Sequence, residues 1–265
     1  MAAIGGSYGT FGWIVLSTAD PAAAVRFYRR AFGWQEAEAG GLLLMLAGAK
    51  PVAAVMDYRQ NDRIQREPQN WLPMVRVRDV DESIVKVESL GGSVIVPIQD
   101  VGVGRAAAVR GVTGEAIGLW ETPGPLGGEP ILMDPGICPW FELVTPDPER
   151  AIPFYKALFG WRIADEGGYT FIGNDEGQFG GIVKLAGDWE DYAFHAAIGR
   201  ARGEKLSVPP HWMIFFGVDD CDHFTDQVEA LGGQVTTRPE PLHTVGTFAV
   251  LRDPQGVYFS VLSKR

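Results

Sequence analysis

Residues 13–34, WIVLSTADPAAAVRFYRRAFGW, recur at residues 140–161 as WFELVTPDPERAIPFYKALFGW. At an offset of 127 the two stretches are identical at 11 of 22 positions, among them Trp13/Trp140, Asp20/Asp147, Tyr28/Tyr155 and Trp34/Trp161. A chain of 265 residues that repeats itself in this way is a tandem duplication. Two domains of about 120 residues follow, each large enough to bury a core.

The second halves repeat at a different offset. Trp71/Trp212, Val77/Val218 and Asp79/Asp220 lie 141 apart, so the second copy carries 14 more residues, within Leu185–Pro210. That segment holds Trp189, Tyr192, Phe194, His195, Arg200 and Arg202. It reads as a lid, an interface arm or a plain surface insertion.

Each copy opens on a short strand, Trp13–Ser17 or Trp140–Val144. A helix follows, capped by Asp20 or Asp147 with Pro in the first helical position, where its missing N–H is no loss. Ala24, Phe27, Tyr28, Ala31 and Phe32 form the apolar stripe of a helix lying on a sheet. Gly33 and Gly160 end the helices. Strands are expected at 41–46, 52–56, 72–77, 94–96, 105–109 and 116–121 in the first copy. In the second they are expected at 169–172, 181–184, 213–218, 235–237, 247–251 and 258–262. Asp79 or Asp81, and Asp220 or Asp222, start a second helix in each copy. The plan is βαβββ, four times. The Pro- and Gly-rich residues 124–138 read as a linker between domains 8–123 and 139–265.

The formal net charge of −10 and the absence of a Lys/Arg run exclude nucleic-acid and anionic-membrane partners. No apolar run reaches the length of a membrane span, and the N-terminus MAAIGGSYGT lacks the pattern of a secretory leader. A cytoplasmic protein, monomer or homodimer, is expected. Cys138 and Cys221 are too few for a disulfide framework and read as free thiols. Cys221 sits at a helix start, where a thiolate is favoured.

The paired βαβββ units, the FYKALFGW helix, PPHWMIFFGVDD and VGTFAVLRDPQGVYFSVL together resemble the vicinal oxygen chelate superfamily. This group includes glyoxalases, bleomycin-resistance proteins and extradiol dioxygenases; the two-domain glyoxalase-like type is the nearest match. The resemblance implies an α+β fold: two tandem glyoxalase-like domains, each a curled mixed sheet forming a cup for a small molecule. The resemblance implies four ligand positions in metal-using members: a His, Gln or Glu on the first strand, a Glu late in the first unit, a His on the first strand of the second unit, and a Glu four residues after the Gly of a DPxG turn. Here those positions carry Trp13 and Trp140, then the neighbourhoods of Val55–Asp57 and Val183–Lys184, then Leu72 and Met213, and last Gly118 and Ser260. A divalent Fe, Ni, Mn or Zn ion wants imidazole and carboxylate donors. The resemblance thus implies the fold, while these residues speak for a cup without a metal or other cofactor. A metal-dependent glyoxalase-like lyase or isomerase, or a dioxygenase or hydroxylase, remains the second reading.

Strand alternation puts Glu142 on the same face as Trp140. A carboxylate in an aromatic cup has a raised pKa and serves as acid, base or amine grip, making Glu142 the candidate catalytic residue; the bland reading is a solvated or Arg-paired side chain. Trp13 and Trp140 stack a planar ligand or belong to the core. Arg76 binds an anion in the first cup or is salt-bridged. Met213, Phe215, Phe248, Tyr258 and Ser260 line the second cup, and His211 touches its rim. No metal ligands are assigned. No two of His195, His211, His223 and His243 have the spacing of a local zinc pair. The functional expectation is binding of an apolar or aromatic molecule, for sequestration or in secondary metabolism, with an enzymatic role left open.

Overall fold

The computed structural model describes residues 8–60, 62–66, 69–123, 135–138, 140–184, 209–242 and 246–264. Most of the 14-residue difference, including the lid reading for Leu185–Pro210, lies outside the described residues, as do His195 and His243.

Four βαβββ units are present. The first comprises β1 (Phe11–Thr18), α1 (Pro21–Phe32), β2 (Gln35–Ala39), β3 (Leu42–Ala47) and β4 (Lys50–Asp57). The second comprises β5 (Asn70–Arg76), α2 (Val80–Ser89), β6 (Ser93–Asp100), β7 (Arg105–Arg110) and β8 (Ala116–Glu121). The third comprises β9 (Trp140–Thr145), α3 (Pro148–Phe159), β10 (Arg162–Glu166), β11 (Tyr169–Asn174) and β12 (Gly177–Lys184). The fourth comprises β13 (His211–Gly217), α4 (Cys221–Ala230), β14 (Gln234–Leu242), β15 (Gly246–Arg252) and β16 (Tyr258–Lys264).

The caps behave as their residue types dictate. Asp20, Asp79, Asp147 and Asp220 each accept a backbone N–H of the first turn. Gly33 and Gly160 end α1 and α3 at φ 71° and 74°, a left-handed conformation that a side chain would strain. Strands β2 and β10 were not expected. Their sequences, QEAEA and RIADE, are short and charged, as sheet-edge strands are.

Two eight-stranded mixed sheets result, ordered β2-β3-β4-β1-β5-β8-β7-β6 and β10-β11-β12-β9-β13-β16-β15-β14. In each, the two units meet where their first strands pair antiparallel, β1 with β5 and β9 with β13. One face of both sheets, with the four α-helices of the described residues, contributes to a single apolar cluster. Phe11 stacks on Phe141 with ring centroids 4.1 Å apart, and Phe32 lies 4.8 Å from both Phe216 and Phe224. The helix-covered faces of the two halves are therefore packed on each other, and the opposite face of each sheet forms its own smaller cluster.

Polar contacts tie the halves with near two-fold correspondence. Trp34 Nε1 donates to the Gly136 carbonyl at 2.9 Å, and Trp161 Nε1 donates to that of Gly9. Tyr28 receives Trp71 Nε1 at 3.0 Å and donates to Asp253 at 3.2 Å. Its counterpart Tyr155 receives Trp212 Nε1 at 3.3 Å and donates to Glu115 at 2.6 Å. Asp253 opens the DPQG turn, and its own Oδ1 accepts the Gln255 and Val257 N–H groups. In the first copy that position is Gly111, in the stretch Gly111-Val112-Thr113-Gly114. A Cβ on Gly111 would fall 2.1 Å from Glu115 Oε1. Glu115 thus fills the place of the missing aspartate from four residues further along the same turn.

Candidate functional site

A β-bulge between Phe11 and Trp13 turns these residues to opposite faces of β1, Phe11 into the shared core and Trp13 into the first cup. Trp13 and Trp140 therefore do not lie between helix and sheet; each belongs to the helix-free face.

In the first cup Trp13 pairs with Met74, which pairs with Gly118. A Cβ on Gly118 would fall 1.9 Å from Met74 Sδ, so the methionine side chain lies where a residue 118 side chain would stand. Trp120, 4% exposed, closes the same face. Arg76, paired with Trp120, is buried at 5% exposure with its guanidinium 5.3 Å from the Tyr8 ring. It is therefore not a solvated arginine. Asp57 is no inward donor: Arg59 Nε and Nη2 each bond its carboxylate at 2.8 Å, and they hold its carboxyl below the usual range.

The second cup keeps the same framework with other side chains. Trp140 pairs with Phe215 and Glu142 with Met213 across β9 and β13; Phe215 pairs with Ser260 on β16. Met213, Phe215, Phe248, Val250 and Leu262 are buried around half-buried Trp140. Glu142 is buried in this apolar face at 6% exposure. Tyr169 donates to its Oε2 at 2.7 Å, and Trp140 Nε1 donates to the Tyr169 oxygen at 3.2 Å. Burial pushes the Glu142 carboxyl up to about 7, against the hydrogen bond from Tyr169, which favours the charged form. Tyr169 reaches Glu142 by crossing Gly181, Glu142's partner on β12; a Cβ there would lie 1.9 Å from the phenolic oxygen. Sequence reasoning missed Tyr169. The one signal was Gly181 beside Glu142, a gap in a strand that something must cross.

The remaining candidates separate. His211 shares the Met213 face, half-buried at the start of β13. Its Nδ1 lies 2.9 Å from the Pro209 carbonyl, which only accepts, so Nδ1 carries the proton; burial lowers its pKa. Ser260 is fully buried, and its Oγ has no hydrogen-bond partner among the described residues. Tyr258, expected in the lining, instead stands 38% exposed at the end of β16 with the Arg252 guanidinium 3.9 Å from its ring. His223 is exposed. Cys221 is no thiolate: its Sγ donates to the Thr247 carbonyl at 3.0 Å, and burial raises its pKa.

These positions fit a divalent ion poorly. The first offers indole, the third an alkyl chain or a thioether and the fourth glycine or a serine hydroxyl, while Asp57 at the second is held by Arg59. Among the described residues no three His, Cys, Asp or Glu side chains are grouped to hold an ion. Glu142 alone is a poor anchor for a divalent ion.

The family model of the Glyoxalase/Bleomycin resistance protein/Dioxygenase superfamily matches residues 10–119 and 137–261. The chain is 34% identical over 262 residues to the putative glyoxylase CFP32 of Mycobacterium tuberculosis, covering 96% of this chain and 94% of that one. It is 32% identical over 275 residues to the anthracycline biosynthesis protein DnrV of Streptomyces peucetius, covering 97% and 94%. Among solved structures, the Mn(II)-bound glyoxalase of Novosphingobium aromaticivorans superposes with a TM-score of 0.61 at 15% identity, over 97% of this chain and 82% of that one. The 2,3-dioxygenase LapB of Pseudomonas sp. KL28 gives 0.59 at 11% identity, over 98% and 93%. No helix among the described residues is long and apolar enough to cross a membrane.

Proposed function

As the chain belongs to the Glyoxalase/Bleomycin resistance protein/Dioxygenase superfamily, we propose that its second cup binds a small, largely apolar or aromatic molecule without a metal. The observation that carries this is the hydrogen-bonded Glu142 set in an apolar face of Trp140, Met213, Phe215 and Phe248. Ligand sites are mostly apolar with a few placed polar groups, and this face has that make-up. The first cup has Val15 and Gly118 where the second has Glu142 and Ser260, and Met74 lies over Gly118. The first domain then acts as support for the second. The relative named as an anthracycline biosynthesis protein favours a planar, fused-ring ligand.

Within this cup Trp140 stacks the ligand plane and Glu142 meets its polar edge. Any chemistry would be acid–base work by Glu142, since a carboxyl poised near neutrality can both give and take a proton. The second reading, a metal-dependent glyoxalase-like lyase or a dioxygenase, is favoured by the relative named putative glyoxylase. Elemental analysis of protein purified without chelators or a His tag separates the two. Metal well below one equivalent, with planar aromatics quenching Trp140 fluorescence, agrees with the first reading. One equivalent, removable by chelator together with turnover of a hemithioacetal or a catechol, overturns it.

A further inference from the structure

The Glu142 carboxyl sits at the end of a directional chain of donors. Trp140 N–H points at the Tyr169 oxygen, and Tyr169 O–H points at Oε2. Oε2 is therefore occupied as an acceptor. In the acid form, the carboxyl proton belongs on Oε1, for which no described residue provides a partner. Ser260 makes the second observation. It is fully buried on the same face, one strand beyond Phe215, and its Oγ has no hydrogen-bond partner among the described residues. An orphaned buried hydroxyl is costly, and a ligand atom that pairs with it removes the cost.

We propose that Glu142 and Ser260 form a two-donor cradle for a neutral oxygen acceptor, so that the ligand of the second cup is a planar aromatic ketone or quinone. This rests on the reading of the second cup as the ligand site. Both donors are set in apolar walls, which suits an uncharged carbonyl. A ligand carboxylate would face Glu142, beside whose carboxyl no cation lies among the described residues. An amine would be gripped by the ionised carboxylate but would leave the Ser260 hydroxyl and the proton on Oε1 without a purpose. Met213, the register partner of Glu142, can turn aside to admit the ligand. Its unbranched thioether chain has the rotatable bonds to do so.

The test compares 9-fluorenone with fluorene, tricyclic probes of like area that differ in the ketone oxygen. Affinities for the full-length protein are measured by isothermal titration at pH 6 and pH 8.5. The expected result is a preference for fluorenone of about tenfold at pH 6, one good hydrogen bond's worth. The preference falls by pH 8.5, because the ionised carboxylate has lost its donor. Ser260→Ala weakens the preference at both pH values. Glu142→Gln, whose amide N–H donates at every pH, shows a preference that no longer changes with pH. Equal affinity for the two probes overturns the cradle and leaves the apolar cup standing. A preference unchanged by pH and by both variants places the ketone elsewhere and overturns the cradle. Binding of neither probe removes the cradle and the cup reading together.

Discussion

A single buried carboxyl sets the pH response of the second cup. Glu142 binds its proton more tightly in the folded chain than in the unfolded one, about 7 against an ordinary 4.5. The folded state therefore holds the extra proton between those values, and stability falls as pH rises from about 4.5 to about 7, then levels. Glu142→Gln removes the titration. Thermal unfolding of the variant is expected to follow a flatter pH profile, with a gain over the parent above pH 7 of up to about 3 kcal/mol. An unchanged pH profile in the variant would mean that Glu142 keeps an ordinary pKa. Glu142 was legible in the sequence because strand alternation ties it to Trp140. Tyr169 was not, since a residue on β11 meets β9 only through the fold. Ser260 was found as a failed metal position, and its orphaned hydroxyl needed coordinates.

At the scale of elements, β12 has a glycine so that β11 can send a side chain across it. Gly181→Val places methyl groups where the Tyr169 hydroxyl lies and drives the phenol off Glu142. The lost hydrogen bond had favoured the charged carboxyl, so its pKa is expected to rise further. Carboxyl titration followed by infrared or NMR spectroscopy checks this; a fall in pKa would contradict it. The helices were legible nearly to the residue, because Asp-Pro starts and Gly ends are local chemistry. The edge strands β2 and β10 were not: their charged, half-exposed sequences lack the apolar alternation that reveals a strand. Arg76 and Tyr258 were placed on their strands, but packing by Tyr8 and Arg252 decided where their tips went.

For the whole molecule, duplication produced two sheets that share one helix-side core. Phe11, Tyr28, Phe32 and Trp34 of the first copy are covered by residues of the second. A chain ending after Pro123 would expose all four. It is expected to be poorly folded or aggregated, by circular dichroism and size exclusion, while the full chain unfolds in one transition. Two separate transitions in the full chain would contradict the shared core. Tyr155→Phe leaves the buried Glu115 carboxylate without its phenol and Trp212 without its acceptor. A loss of about 1–3 kcal/mol in denaturant unfolding is expected.

The glycine and glutamate at positions 111 and 115 also constrain how this chain can change. Placing aspartate at 111 alone crowds a second carboxyl against the first, where the added Cβ already overlaps Oε1. Removing Glu115 alone strands the Tyr155 hydroxyl. Either step taken singly descends, although Gly111→Asp with Glu115→Val would rebuild the arrangement seen at Asp253 and Val257. The two positions are thus mutually entrenched. The pair works as a latch: neither residue changes alone without loss, and only a joint exchange passes.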